Sequence, residues 1–250
     1  MGLLKKFFNS KREAARSAWI ERSPRIRVIP LHDIYFKCDA PVQSGTVPIL
    51  NLSITGLGMV NEKTVAWPVV GSELKGSLQI GTDSFPVSGQ VVYLADHIIG
   101  VRFLDGSEGL KGRILRYLVA EFSAVKMTEV KKEMLAAEGD GEPHFLVGQN
   151  QCELFYVQNK SAVVWFQLTF MGNYIECERD GKLREGIFEE ENRKSYKGST
   201  VIKSLRPLSS SMAELALKFV ANIQNLDVMV KAQIDSRIEA CLKELGSKDE

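Results

Sequence analysis

Three arginines stand close together where the chain first takes on the composition of a β-strand. They are Arg22, Arg25 and Arg27 of the segment RSPRIRV, and the two-residue period of a strand places Arg25 and Arg27 on the same face. Guanidinium groups pair with phosphate oxygens, contact the O6/N7 edge of guanine through two hydrogen bonds, and stack on rings. By themselves, the three arginines are better explained as a solvated basic strand end.

Two short polar side chains follow in the segment PILNLSITGLGMV. Asn51 and Ser53 share one face of the predicted strand, about 6.6 Å apart at the usual rise, while Leu50 and Leu52 take the opposite, apolar face. The amide offers one acceptor and two donors and the hydroxyl does either, which suits a flat ligand such as a purine base. We expect Gly56 to allow a bulge or turn where the apolar pattern changes phase. The alternative is an edge strand whose polar residues only cap a turn.

The composition argues against several functional classes. A net charge of +1 over 250 residues gives no overall attraction to nucleic acid, so no DNA partner is predicted. The three histidines have no metal-ligand spacing, and neither a GxSxG motif nor a P-loop occurs. We therefore predict that the protein is not an enzyme and has no cofactor or metal. The cysteines are far apart in sequence and read as reduced thiols: Cys38, Cys152, Cys177 and Cys241.

The periodicity predicts a β-rich α+β chain with two β-stretches, each followed by helix. From Arg25 to about residue 104, several short strands separated by turn signals favour an antiparallel barrel or sandwich. A helix follows, predicted to run to about residue 135, and the polar segment 138–143 marks a boundary. A second β-stretch leads to a helical pattern of about 35 residues, which is either one coiled-coil arm or two helices with a break near Asn225 or Asp227.

Residues 3–19 can form a short basic amphipathic helix, with Leu3, Leu4, Phe7 and Phe8 on its apolar side. It would dock on a membrane surface or a partner protein, or pack on its own chain. The segment is not a signal peptide, and no apolar run reaches the length of a membrane span. We expect a cytoplasmic protein.

The chain resembles the PilZ domain family over about residues 20–125. The resemblance is carried by the arginine cluster, by Asn51, Ser53 and Gly56 of NLSITG with Gly58 after it, and by the strand GVRF (100–103) before a helix. It implies a six-stranded antiparallel β-barrel that binds the bacterial second messenger cyclic di-GMP. It also implies that arginines grip phosphates and guanines while the Asn and Ser hold a guanine edge. The family pattern has two arginines four residues apart, whereas in this chain the spacings are three and two.

Together these patterns predict three parts: an N-terminal helix (1–20), a PilZ-like barrel with its closing helix (21–137), and a second module (144–250) for output or dimerisation. The resemblance implies a cyclic di-GMP receptor with ligand residues Arg22, Arg25, Arg27, Asn51, Ser53 and Gly56. On this hypothesis ligand binding rearranges the N-terminal segment and changes contact with a protein partner. A homodimer through the C-terminal helix is a further prediction. The alternative is a divergent interaction or assembly module that binds no nucleotide.

Overall fold

The structure is a computed structural model. It describes residues 23–39, 45–61, 66–104, 108–135, 141–189 and 201–246. The N-terminal segment 3–19 and Arg22 lie outside the described residues. Among the helices within those ranges, none combines the length and apolarity needed to cross a membrane.

Six antiparallel strands of the first sheet close into a barrel, which confirms the predicted fold. The strands of this sheet are β1 (Ile26–Arg27), β2 (Ile34–Cys38), β3 (Thr46–Ser53), β4 (Gly56–Val60), β5 (Glu73–Ile80), β6 (Asp83–Leu94) and β7 (Ile98–Phe103). The ring runs β3–β2–β5–β6–β7–β4 and closes where β4 pairs with β3, while β1 pairs with β3 outside the ring. Alternation produces the core. In β2, for example, Ile34, Phe36 and Cys38 are buried between more exposed neighbours.

The strand that carries Asn51 changes face earlier than predicted. Its pairing with β4 shifts between Ile49 and Asn51, so a bulge falls at Leu50. Leu50 is 39% exposed, whereas Leu52 is completely buried. The predicted apolar face is therefore wrong at Leu50, because the extra residue turns that side chain outward.

Two consecutive helices, α1 (Glu108–Tyr117) and α2 (Val119–Val125), follow the barrel. Leu110, Ile114 and Leu118 pack into the barrel core at helical spacing. The prediction of one helix to about residue 135 is wrong. The chain leaves the helix at Val125 because residues 128–129 pair into the second sheet.

The second sheet is an open antiparallel meander in which every strand pairs with its neighbours along the chain. Its strands are β8 (Thr128–Glu129), β9 (Glu142–Val147), β10 (Glu153–Asn159), β11 (Ala162–Phe170), β12 (Asn173–Cys177), β13 (Leu183–Glu189) and β14 (Val201–Pro207). Two helices, α3 (Ser210–Ala221) and α4 (Val228–Gly246), bury one face of the sheet in a shared core. The break between them includes Asn225, which confirms the two-helix alternative. We call the second sheet with α3 and α4 the second module.

Candidate functional site

The structure brings two of the three predicted arginines to Asn51. Arg27 is the direct cross-strand partner of Asn51, in the two-residue strand β1. Arg25 precedes that strand, and its Nη1 donates a hydrogen bond to Asn51 Oδ1 at 3.3 Å. Both arginines are exposed while Ile26 between them is fully buried, so the two guanidinium groups lie on the outer side of the barrel. Arginines from one segment and an amide from another thus converge on one surface.

Two glycines lie in the barrel wall beside Asn51, and neighbouring side chains cover both of them. Asn51 pairs across the ladder with Gly58, and Gly58 pairs with Gly100 of β7. A Cβ on Gly58 would come within 2.7 Å of Asn51 Nδ2 and 2.9 Å of Oδ1, so the carboxamide lies directly over this glycine. On the far side of Gly100 stands Tyr93, 53% exposed and paired with Gly100. Asn51, Gly58, Gly100 and Tyr93 therefore follow one another across the barrel wall, with the Asn51 amide packed on Gly58 and Tyr93 packed beside Gly100.

Ser53 and Gly56 form the hairpin at the end of β3. Ser53 Oγ donates to Gly56 O at 3.0 Å and accepts from the Thr55 amide at 3.3 Å, and the residue is buried. Gly56 lies against the Val101 carbonyl of β7, and a Cβ at Gly56 would overlap that backbone oxygen. Both residues therefore fix the strand pairing that holds Asn51 and Gly58. Direct contact of either residue with a ligand stays a prediction.

The electrostatics near Arg27 involve the second module as well as the barrel. Burial lowers the pKa of Lys231 in α4; nearby Asp235 opposes that shift, and the positive charge of Arg27 adds to it. Burial raises the pKa of Asp235 to about 6, and the charges of Lys231 and Arg27 oppose that rise. The positive charge of Arg27 on β1 thus lowers the pKa of both members of a partly buried Lys–Asp pair on α4.

Tyr93 and Gly100 were not among the site residues predicted from the sequence. A signal for Tyr93 exists: the run VVYL (91–94) does not alternate, and the pairing of β6 with β7 shifts between Val91 and Tyr93. Such a bulge turns the next side chain outward at a sheet face. The exposed aromatic ring follows from that slip in register.

No group of three or more His, Cys, Asp or Glu side chains is arranged to hold a metal ion among the residues that the structure describes. What the geometry offers is guanidinium groups, one carboxamide and one exposed aromatic ring. These groups recognise a planar ligand with mixed donors and acceptors and with negative charge.

The first sheet is thus a closed six-stranded antiparallel β-barrel with arginines and an asparagine on its outer wall. The family model for the PilZ domain matches residues 11–120 of the chain. The resemblance expected over about residues 20–125 is thereby confirmed. PilZ domains are ligand-binding receptor domains.

Three solved structures resemble part of the chain. The PilZ domain of YcgR from Escherichia coli, solved with c-di-GMP, has 21% identity and a TM-score of 0.33, covering 40% of this chain and 90% of that one. YcgR from Escherichia coli in complex with c-di-GMP has 19% identity and a TM-score of 0.33, covering 40% of this chain and 45% of that one. An uncharacterised Legionella protein has 20% identity and a TM-score of 0.30, covering 38% of this chain and 90% of that one. No curated protein matches the chain significantly.

Proposed function

We propose that the protein is a bacterial cyclic di-GMP receptor that binds the dinucleotide on the barrel face around Arg25 and Asn51. The observation that carries this proposal is the hydrogen bond of 3.3 Å from Arg25 to Asn51. It joins the two segments that the family resemblance assigns to one ligand. The match of residues 11–120 to the PilZ family supports the same assignment.

Each group on this face has a task that its chemistry suits. Arg25 and Arg27, with Arg22 before them, pair with the phosphates and take the O6/N7 edge of guanine. Asn51 exchanges its bond to Arg25 for donor and acceptor contacts with a guanine edge. Glycine at position 58 leaves room for the Asn51 carboxamide to lie against the wall, where it can turn toward a base.

Two further residues of the face have supporting tasks. Tyr93 packs against the base from the side of β6. Ser53, with its hydroxyl bonded inside the turn, supports Asn51 by fixing the hairpin.

Signal output is proposed to run through the segment that bears the arginines. When this segment closes on the ligand, residues 3–19 move with it because they are directly upstream in the chain. That movement changes contact with a protein partner, or with a membrane surface in the cytoplasm.

A homodimer through α4 remains a prediction, and the structure limits how it can form. Val230, Ile234 and Ile238, which belong to the apolar stripe seen in the sequence, are buried in the chain's own core. Such a dimer would use another surface, and Val228 and Met229 at the start of α4 are the exposed apolar candidates there. Sedimentation of the full chain as a strict monomer would contradict it.

Calorimetric titration of cyclic di-GMP tests the receptor function. We expect wild type to bind, and Arg25→Ala/Arg27→Ala to bind roughly 100-fold more weakly because two charge-assisted contacts are lost. Raising NaCl from roughly 50 to 500 mM weakens wild-type binding, since part of the attraction is between exposed charges. Arg116→Ala, which removes an exposed arginine on α1, is the matched control and leaves binding unchanged.

The second candidate is an interaction module that binds no nucleotide. The observation in its favour is Ser53, whose hydroxyl is already used as donor and acceptor inside the turn. If wild type gives no heat with cyclic di-GMP while circular dichroism shows an intact fold, the receptor proposal is overturned and this second candidate is favoured.

A further inference from the structure

Strand β1, which bears Arg27, has a free edge that faces away from β3. Val28 donates its amide to Leu50 O of β3 at 3.0 Å, and Ile26 is paired with Leu52. Because alternate residues of an antiparallel strand pair on alternate sides, the backbone N–H and C=O of Arg27 point away from the barrel. Without partners for these two groups, β1 would be fixed to the protein along one edge only.

A single side chain of the second module pairs with both groups. The Arg27 amide donates to Asn222 Oδ1 at 2.7 Å, and Asn222 Nδ2 donates to Arg27 O at 3.1 Å. The carboxamide therefore does for Arg27 what a neighbouring strand would do. Strand β1 is therefore paired with β3 of the barrel along one edge and with Asn222 of the second module along the other.

Asn222 is itself rigidly held. It ends α3, is only 2% exposed, and its Nδ2 also donates to Lys218 O at 3.0 Å. Lys231 of α4 donates to the carbonyls of Ala221 and Ile223 on either side of it, the latter at 2.8 Å. The amide can therefore hold Arg27 only in one position relative to α3.

We propose that Asn222 is a positioning residue through which the second module holds the arginine strand in its ligand-receiving pose. Its removal frees β1 and weakens cyclic di-GMP binding, and binding in turn tightens the end of α3. The reciprocity is required because coupling between two sites is equal in both directions. The affinity part of this proposal rests on the proposed function, whereas the hold on Arg27 does not.

The test compares Asn222→Ala with a matched control in the full chain. Asn225→Ala removes the same kind of side chain from the same loop: its Nδ2 donates to Met127 O, just before β8, at 2.8 Å. We expect Asn222→Ala to speed hydrogen exchange of the Arg27 amide about tenfold or more. We also expect it to weaken cyclic di-GMP binding, measured by calorimetry, about fivefold or more. Asn225→Ala should do neither.

Asn222→Asp provides a second, isosteric variant. Its carboxylate accepts from the Arg27 amide but meets the carbonyls of Arg27 and Lys218 with no donor to offer. It should therefore also speed exchange at Arg27, in a side chain of unchanged shape. If the Arg27 amide exchanges in either variant at the wild-type rate, the proposal that Asn222 holds β1 in place is overturned.

The remaining outcomes separate the two proposals. If the Arg27 amide exchanges faster but cyclic di-GMP affinity is unchanged, Asn222 holds β1 in place without affecting ligand binding, and the coupling between the two is overturned. If wild type binds no cyclic di-GMP, the receptor function fails while the exchange rates still decide the hold. Wild type alone gives one more check: saturating ligand should slow exchange of the Asn222 backbone amide about threefold or more. An unchanged rate there overturns the coupling.

Discussion

Within the described residues, each of the two sheets contains seven antiparallel strands, but the sheets differ in how their edge strands are paired. Six strands of the first sheet close on themselves, so the barrel fills its own interior with residues such as Phe36, Leu52 and Met59. The second sheet stays open and buries one face under α3 and α4. A closed barrel needs no cover on its outside, so the outer wall is free to carry glycines and polar groups.

The difference shows where ligand sensing can be linked to the rest of the molecule. In the described part of the first sheet, β1 is the strand left outside the closed ring, and it bears Arg27. Its outer edge is held by Asn222 rather than by barrel strands. A strand that lies outside the closed ring is thus contacted by the second module.

The largest effect is expected where the barrel wall itself is disturbed. In Gly56→Ala the new Cβ meets the Val101 carbonyl, which belongs to backbone and cannot move aside. We expect a loss of about 3 kcal/mol in unfolding free energy, measured by urea denaturation. Gly112→Ala, in an open position on α1, is the control and should gain about 0.5 to 1 kcal/mol. Equal effects of the two changes would show that Gly56 is not confined by the wall.

A smaller effect should separate the roles of Asn51 and Ser53. Asn51→Ala should weaken cyclic di-GMP binding about tenfold, equivalent to about 1.4 kcal/mol, because a guanine-edge contact is lost. Ser53→Ala should lower stability by about 1 kcal/mol, because the turn loses its hydroxyl bonds. Calorimetry and urea denaturation of both variants check the assignment. It is wrong if Ser53→Ala weakens binding as much as Asn51→Ala while leaving stability intact.

The smallest effect concerns Asp235 of the second module. Burial raises its pKa from 3.8 to about 6, with Lys231, Glu239 and Arg27 as the charged neighbours. Between these values the folded state holds more protons than the unfolded state, so this group makes stability fall as pH rises from about 4 to 6.

Asp235→Asn cannot ionise, so it should lack that fall. Near pH 7.5 it should be more stable than wild type by about 1 kcal/mol, a figure discounted for partial exposure, and near pH 3.5 the two should be equal. Thermal unfolding at both pH values measures this. A difference independent of pH would refute ionisation of the buried carboxyl as the cause.

Much of the barrel and part of the site could be predicted from sequence because they follow from local patterns. Alternation and turn residues mark the strands, and the convergence of Arg25 with Asn51 follows from their types and the family motif. The bulge at Leu50 could not be predicted, since which residue stays unpaired depends on the partner strand. Likewise, the early end of α2 at Val125 depends on residues 128–129 finding a place in the second sheet.

The contact between Asn222 and Arg27 could not be predicted from the sequence at all. Asn222 bonds to a residue 195 positions away, and the contact uses backbone groups of Arg27, so no side-chain pattern announces it. An asparagine at a helix end reads only as an ordinary cap.

The measurement that tests the central claim most directly is an amide NMR titration of the isotope-labelled full chain with cyclic di-GMP. We expect the largest shifts at Arg25, Asn51, Gly58 and Gly100, the residues that converge on the outer barrel wall. No shifts at saturating ligand, or shifts confined to the second sheet, would contradict binding on that wall.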